Sequence, residues 1–142
     1  MVIHQWAMSL PLPWWVLVVD DDAEVNALIV EMLRDEGFDA HGLTQARAAM
    51  ALLEGASPPG FIIADMTMPE IDGVDLVGRA ERHGIKGMLI TAADPRRLKA
   101  AAAALQSAPV IRKPFEVDEL IRVVARHRPA SDGDVSPVSC SA

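Results

Sequence analysis

Apolar positions along this chain fall into two kinds of segment that alternate. Unbroken apolar runs occupy residues 16–19, 61–64 and 88–90. They lack the polar break at every second position that marks a half-exposed strand, so they predict parallel strands covered on both faces. A weaker run at 38–43 is interrupted by His41, and Pro109 fits only at the opening of a fifth run, 110–112, where no ladder N–H is missed. Between the runs the spacing changes to helical. Val25, Leu28, Ile29, Met32 and Leu33 form one stripe that Gly37 ends. Ala46, Ala49, Met50 and Leu53 form a second, with Thr44 placed to cap it, and Val74, Val77 and Ala80 a third that opens at Asp72-Gly73 and closes near His83-Gly84. Asp94-Pro95 is a strong helix start ahead of the alanine run 100–104. The last stripe is Val117, Leu120, Ile121 and Val124 within 115–128, with Arg122, Arg126 and Arg128 near the end of the helix. Five strand-helix repeats predict a doubly wound α/β fold around a five-stranded parallel sheet.

Each strand-like run ends in chemistry. The first runs into Asp20-Asp21-Asp22, the third into Asp65-Met66-Thr67-Met68-Pro69, the fourth into Thr91 and the fifth into Arg112-Lys113-Pro114. Open α/β sheets place their ligands at the carboxyl ends of the strands, so these side chains are expected to converge on one rim. Carboxylates as crowded as Asp20, Asp21 and Asp65 cannot all ionise in a partly buried crevice unless a cation joins them. Mg²⁺ is the small hard cation suited to a few carboxylates, a carbonyl and waters. Lys113 adds a positive charge and Thr91 a hydroxyl, a set that suits an incoming phosphoryl group attacked by a carboxylate to give an aspartyl phosphate. A strand-ending Asp is often only a helix cap, and for Asp22 that reading is preferred.

Length and charge narrow the picture further. The 142 residues, 51% apolar, suit a single core. The net charge of −7 conceals an asymmetry: residues 1–81 carry 14 acidic side chains against 3 Lys and Arg, and residues 82–142 carry 6 against 10. An overall acidic chain gives little support to direct nucleic-acid contact. The single cysteine, Cys140, allows no internal disulfide or metal cluster and fits a reducing, cytoplasmic setting. Residues 1–13 form an extension with no Lys or Arg and with Pro11 and Pro13, so neither a secretory signal nor a membrane span is expected there. The tryptophans at this end, Trp6, Trp14 and Trp15, leave two readings open: part of the arm packs on the domain, or it is an extension ahead of a start at Met8. Residues 14–128 are read as the domain, and 129–142, rich in Ser, Pro, Gly and Asp, as a disordered tail.

The motifs Val-Val-Asp20-Asp21-Asp22, Asp65-Met66-Thr67-Met68-Pro69 followed by Asp72-Gly73, Thr91-Ala92 and Lys113-Pro114-Phe115 resemble those of response-regulator receiver domains of two-component signalling, over residues 14–128. The resemblance implies a flavodoxin-like (βα)5 fold with strand order 2-1-3-4-5. It implies Asp65 as phosphoacceptor, Mg²⁺ held by Asp20, Asp21, Asp65 and the backbone carbonyl of Thr67, and phosphoryl oxygens bound by Thr91 and Lys113. It also implies a cis peptide between Lys113 and Pro114, a small energetic step for an X–Pro bond. The implied partners are a sensor histidine kinase or histidine phosphotransfer protein, and a downstream protein docking on the surface of the fourth helix, fifth strand and fifth helix. That surface carries Arg96, Arg97, Lys99, Arg112, Arg122 and Arg126, and a homodimer formed on phosphorylation belongs to the same set of implied contacts. On this reading the chain is a stand-alone receiver, not an enzyme beyond self-catalysed phosphoryl transfer and hydrolysis. Thr67 and Ala93, at positions that set phosphoryl lifetime in the family, are neither acidic nor amide and imply ordinary access for hydrolytic water.

One departure is clear: three positions before the lysine, where many members carry Tyr or Phe, stands Val110. That puts the usual aromatic relay in doubt and leaves room for a phosphorylation-independent adaptor. A haloacid-dehalogenase-like phosphatase with Asp20 as nucleophile also matches Asp20-Asp21-Asp22. Glu24 breaks that pattern, no downstream acidic pair completes it, and it leaves the Asp65 segment unexplained. A third alternative is the receiver piece of a longer DNA-binding regulator.

Overall fold

The computed structural model describes residues 13–92, 94–105 and 108–129. Strands and helices alternate in the order β1 (Val16–Val19), α1 (Ala23–Asp35), β2 (Ala40–Leu43), α2 (Ala46–Leu53), β3 (Phe61–Asp65), α3 (Gly73–Arg82), β4 (Lys86–Thr91), α4 (Pro95–Ala104), β5 (Val110–Arg112) and α5 (Val117–His127). All neighbouring strands are parallel, and the sheet order is β2-β1-β3-β4-β5. This is the doubly wound arrangement expected from the alternation, with the flavodoxin-like strand order that the resemblance implied.

β1, β3 as far as Ala64 and β4 from Met88 to Ile90 are apolar because both of their faces are covered, whereas the edge strands β2 and β5 expose His41 and Arg112. Val16, Val18, Phe61, Ile63, Met88, Ile90 and Ile111 pack with Ile29, Val30 and Leu33 of α1 and Leu120, Val123 and Val124 of α5. The alternate residues Leu17, Val19, Ile62, Ala64 and Leu89 pack with α2 and α3 on the other face, joined by Leu105 just beyond α4. A central strand of such a sheet has no solvent face to mark with polar residues.

Several boundaries differ from expectation. β2 starts at Ala40, not residue 38, because the Phe38 N–H closes α1 by donating to the Leu33 carbonyl at 3.0 Å. Gly37, at φ +90°, makes the turn that allows this. β4 begins two residues early, at Lys86, which pairs with Phe61. Thr44 does not cap α2: Gln45 holds the N-cap position with extended backbone and no side-chain hydrogen bond, so Thr44 lies one residue too early. α5 starts at Val117 rather than Phe115, and Val117 is exposed, its place on the buried face taken by Val123. In α1 Leu28 is 52% exposed, and the buried face runs through Asn26, Ile29, Val30 and Leu33. Leu76 joins Val77 and Ala80 on the inner face of α3, with Val74 only half-buried. The Asp94 start of α4 forms as expected, its carboxylate accepting from the Arg97 N–H at 3.0 Å.

Ala93, Trp6, the extension through residue 12 and the tail from 130, Cys140 included, lie outside the described residues.

Candidate functional site

β1 ends at Val19, and the next residue, Asp20, is fixed by its neighbours. Its N–H donates to the Leu43 carbonyl at 3.3 Å, and its Oδ1 accepts from the Asp22 N–H at 2.9 Å. The Asp20 carboxyl is only 2% exposed. Asp22 instead turns to α1, accepting from the N–H groups of Glu24 at 3.0 Å and Val25 at 3.3 Å, so it is a helix cap as preferred from the sequence. Asp21 stands between them at the surface.

Asp65 is the last residue of β3, beside β1 in the sheet. Its Oδ1 accepts from the Thr67 N–H at 3.3 Å. The loop beyond is drawn tightly back. The Gly73 N–H donates to the Met66 carbonyl at 2.9 Å, and a Cβ on Gly73 would lie 2.2 Å from the Asp65 carbonyl oxygen. Only glycine lets α3 begin against the backbone of Asp65. Asp72 then caps α3 by accepting from Asp75 N–H at 2.9 Å. Within this loop Glu70 adopts the left-handed region at φ 71°, the one non-glycine residue to do so among those described.

Thr91, fully buried, ends β4. Its carbonyl accepts from the Lys113 N–H at 2.8 Å, which brings the lysine to the rim, and the Lys113–Pro114 peptide is cis. Lys113 Nζ lies 3.2 Å from Asp20 Oδ2 and 3.5 Å from Asp65 Oδ2. Carboxylate oxygens of Asp20, Asp21 and Asp65 lie within 4.8 Å of one another. Four side chains from three strand ends, separated by up to 93 positions in sequence, therefore meet at one rim, and the backbone of Thr91 at the end of a fourth strand holds that of Lys113.

The electrostatics follow from this crowding. Burial raises the titration of Asp65 above its ordinary value of 3.8; the Lys113 charge opposes that, the Asp20 charge adds to it, and the Thr67 N–H favours the ionised form. Three carboxylates face a single ammonium, so the donor set is anionic and made of hard oxygens. Such a set fits Mg²⁺, a hard cation that accepts a few carboxylates and keeps waters. Thr67 sits directly in this loop through its N–H contact with Asp65.

Two features of the surroundings were singled out from the sequence. Val110 is half-buried against the cluster that includes Leu105. Arg96, Arg97, Lys99, Arg112, Arg122 and Arg126 are all exposed. One residue behind the site was absent from the expected set: Asn26, in the first turn of α1, is buried beneath Asp20. Its signal was a polar residue inside an apolar stripe, just after the Asp triplet.

Comparison with known proteins agrees with this geometry. Residues 16–125 match the family model described as response regulator receiver domain. An uncharacterized 14.6 kDa protein of Leptolyngbya boryana is 33% identical over 116 residues, covering 79% of this chain and 88% of that protein. The transcriptional regulatory protein PdtaR of Mycobacterium tuberculosis is 27% identical over 135 residues, covering 90% of this chain and 66% of PdtaR. The regulatory protein AtoC of Escherichia coli is 27% identical over 113 residues, and there the chain spans only 24% of the relative. Among solved structures, a response regulator receiver protein from Burkholderia phymatum superposes with TM-score 0.71 at 30% identity, covering 81% of this chain and 94% of that one. TrrA of Thermotoga maritima, solved in complex with Mg(2+)-BeF, gives TM-score 0.69 at 27% identity, covering 82% and 100%.

Proposed function

Because the chain belongs to the response regulator receiver domain family, we propose that Asp65 accepts a phosphoryl group from a histidine kinase or histidine phosphotransfer protein, with Mg²⁺ held by Asp20, Asp21, Asp65 and the Thr67 carbonyl. The observation that carries this reading is Lys113 Nζ, 3.2 Å from Asp20 and 3.5 Å from Asp65, a cation shared by two carboxylates at a sheet rim. Asp65 supplies the attacking oxygen: an O–P bond forms as the P–N bond of a phosphohistidine breaks, and the leaving imidazole takes up a proton. Lys113 stabilises the charge on the phosphoryl oxygens, and Thr91 holds one of them by its hydroxyl. Bound Mg²⁺ would neutralise those oxygens further. Hydrolysis of the aspartyl phosphate returns the domain to its starting state, so the chemistry is confined to the chain itself.

The output is carried by protein contacts of a cytoplasmic receiver domain, residues 14–128. The exposed arginines of α4 and α5, with Arg112, suit an acidic partner segment. A second reading, a receiver-fold adaptor independent of phosphorylation, is favoured by Val110, since a two-state change needs contacts that differ between the states and the usual ring is missing. Among the described residues no helix is long and apolar enough to cross a membrane.

The test is to incubate wild type and Asp65→Asn with a small phosphodonor and Mg²⁺ and follow intact mass. Wild type gains one phosphoryl group and the variant none. A label mapped to Asp20 would instead favour the phosphatase alternative, and partner binding unchanged by the label would favour the adaptor.

A further inference from the structure

Three polar or charged side chains are buried in the described core: Asp20, Thr91 and Asn26. The first two belong to the site already discussed. Asn26 does not, yet it lies directly behind it. Its Nδ2 donates to three backbone carbonyls: Leu43 at 2.8 Å, Asp20 at 3.2 Å and Val18 at 3.3 Å. An amide carries only two such hydrogens, so the three acceptors share them around one nitrogen. The acceptors come from the end of β1, from Asp20 itself and from the end of β2. The Leu43 carbonyl also receives the Asp20 N–H at 3.3 Å. The backbone of Asp20 is therefore held on both sides, its N–H by Leu43 and its carbonyl by Asn26.

The packing around Asn26 is specific to it. A Cβ at Gly42 would lie 1.9 Å from Asn26 Oδ1 and 3.0 Å from its Cγ. β2 thus carries a glycine where the asparagine side chain lies against the strand. An apolar residue would have satisfied the periodicity of α1, as Ile29 and Leu33 do further along, without holding any of these carbonyls.

Asp20 is where β1 stops and the ladder no longer fixes the chain, and it is there that the carboxylate must point both to Lys113 and to Asp65. We infer that Asn26 is a positioning residue for the divalent-cation site: it fixes the Asp20 backbone, and through it the carboxylate, in the orientation that places Oδ2 on Lys113 and Oδ1 on the Asp22 N–H. The inference rests on the reading of Asp20 as a metal ligand. Groups that orient a ligand from behind commonly govern metal affinity by about ten- to a hundredfold.

The experiment uses the full chain as wild type, Asn26→Leu, Asn26→Ser and Gly42→Ala, with Asp20→Asn as control. Asn26→Leu keeps the bulk and removes the donor, Asn26→Ser keeps a short donor, and Gly42→Ala leaves Asn26 in place but displaces its amide. Two quantities are read on protein with native near-ultraviolet circular dichroism: the Mg²⁺ dissociation constant by calorimetry, and hydrogen exchange of the Asp22 amide without metal. The second reports the Asp20 Oδ1 contact directly and requires no phosphoryl transfer.

Asn26→Leu and Gly42→Ala are expected to weaken Mg²⁺ binding by about tenfold or more and to speed exchange at Asp22, with Asn26→Ser falling between them and wild type. A purely structural role would lower the melting temperature while leaving both readouts of the folded protein as in wild type, and that result overturns the inference. Loss of folding in all three variants overturns it as well, in favour of a core role. If Asp20→Asn binds Mg²⁺ like wild type, the metal-site reading falls first. If Asp20→Asn loses Mg²⁺ while the Asn26 and Gly42 variants retain it, only the inference about Asn26 falls.

Discussion

The two ends of β3 lie four residues apart and are built on opposite terms. At its carboxyl end Asp65 is crowded by Asp20 and Asp21, burial pushes its titration upward, and the following loop holds Glu70 in a left-handed conformation. At its amino end Phe61 is fully buried, its ring 4.7 Å from that of His127. Nearby, Trp14 lies 6.3 Å from Phe38, and the Arg128 guanidinium sits 3.9 Å over the Phe38 ring. Packing at one end of the strand stabilises the fold, and charge crowding at the other opposes it. An active rim of this kind needs a well-packed opposite edge, because net stability is a small difference between large terms.

The largest effect expected from breaking this contrast is at the packed end. Phe61→Ala removes a fully buried ring and should lower unfolding stability by about 4 kcal/mol, read by denaturant titration. Because the site lies at the far end of the strand, Mg²⁺ affinity of the folded variant should stay within about twofold of wild type. A much larger loss of affinity would mean that the two ends are not independent.

The next effect is at the charged end. Lys113→Met leaves Asp20 and Asp65 facing each other without their shared ammonium, and should cost about 2 kcal/mol at neutral pH, less than a fully buried pair because the lysine is partly exposed. Added Mg²⁺ should restore part of that stability by supplying the missing charge. Melting curves unchanged by the substitution would show that the lysine's proximity to both carboxylates has no energetic weight.

These two residues also mark what the sequence made legible. Lys113 and Asp65 were readable because each ends an apolar run, and parallel strands bring their ends to one rim whatever their separation along the chain. Phe61 was readable as a strand residue by the same run, but its pairing with His127 depends on where α5 ends, which no local pattern specifies. Helix faces were the less legible part. Spacing placed Leu28 and Val117 inward, yet both are exposed. In α1 the deciding group is Asn26, whose amide reaches strand-end carbonyls, and a hydrophobicity pattern counts such a residue as polar and therefore outward. Thr44 failed as a cap for a similar reason: Gln45 remains extended, so the helix begins one residue later than cap chemistry alone suggests.

A smaller change of opposite sign is expected at Asp65. Its raised titration means the folded chain disfavours the carboxylate. That penalty is absent below the ordinary value of 3.8, grows as pH rises through 3.8 toward the raised folded value, and stays constant above it. Without metal, Asp65→Asn should therefore stabilise the fold at neutral pH by about 1 kcal/mol, and the gain should vanish in acid. Thermal melts of both proteins across pH check this. A variant that is less stable at neutral pH would contradict the charge-crowding account of the rim.

The smallest effect separates ring packing from charge at the amino end. Arg128 stacks its guanidinium on Phe38 and donates to the Gly37 carbonyl at 2.9 Å, tying the end of α5 to the turn after α1, but the residue is exposed. Contacts of an exposed cation with a ring are worth about 0.5–1 kcal/mol, so Arg128→Ala should lower stability by that order, and Arg128→Lys, which keeps the charge but not the planar group, should recover only part of it. Denaturant titrations of the three proteins at equal salt give the comparison. A loss as large as that of Phe61→Ala would mean that the amino end is held chiefly by this cation, and that the opposition between a packed end and a charged end does not describe the molecule.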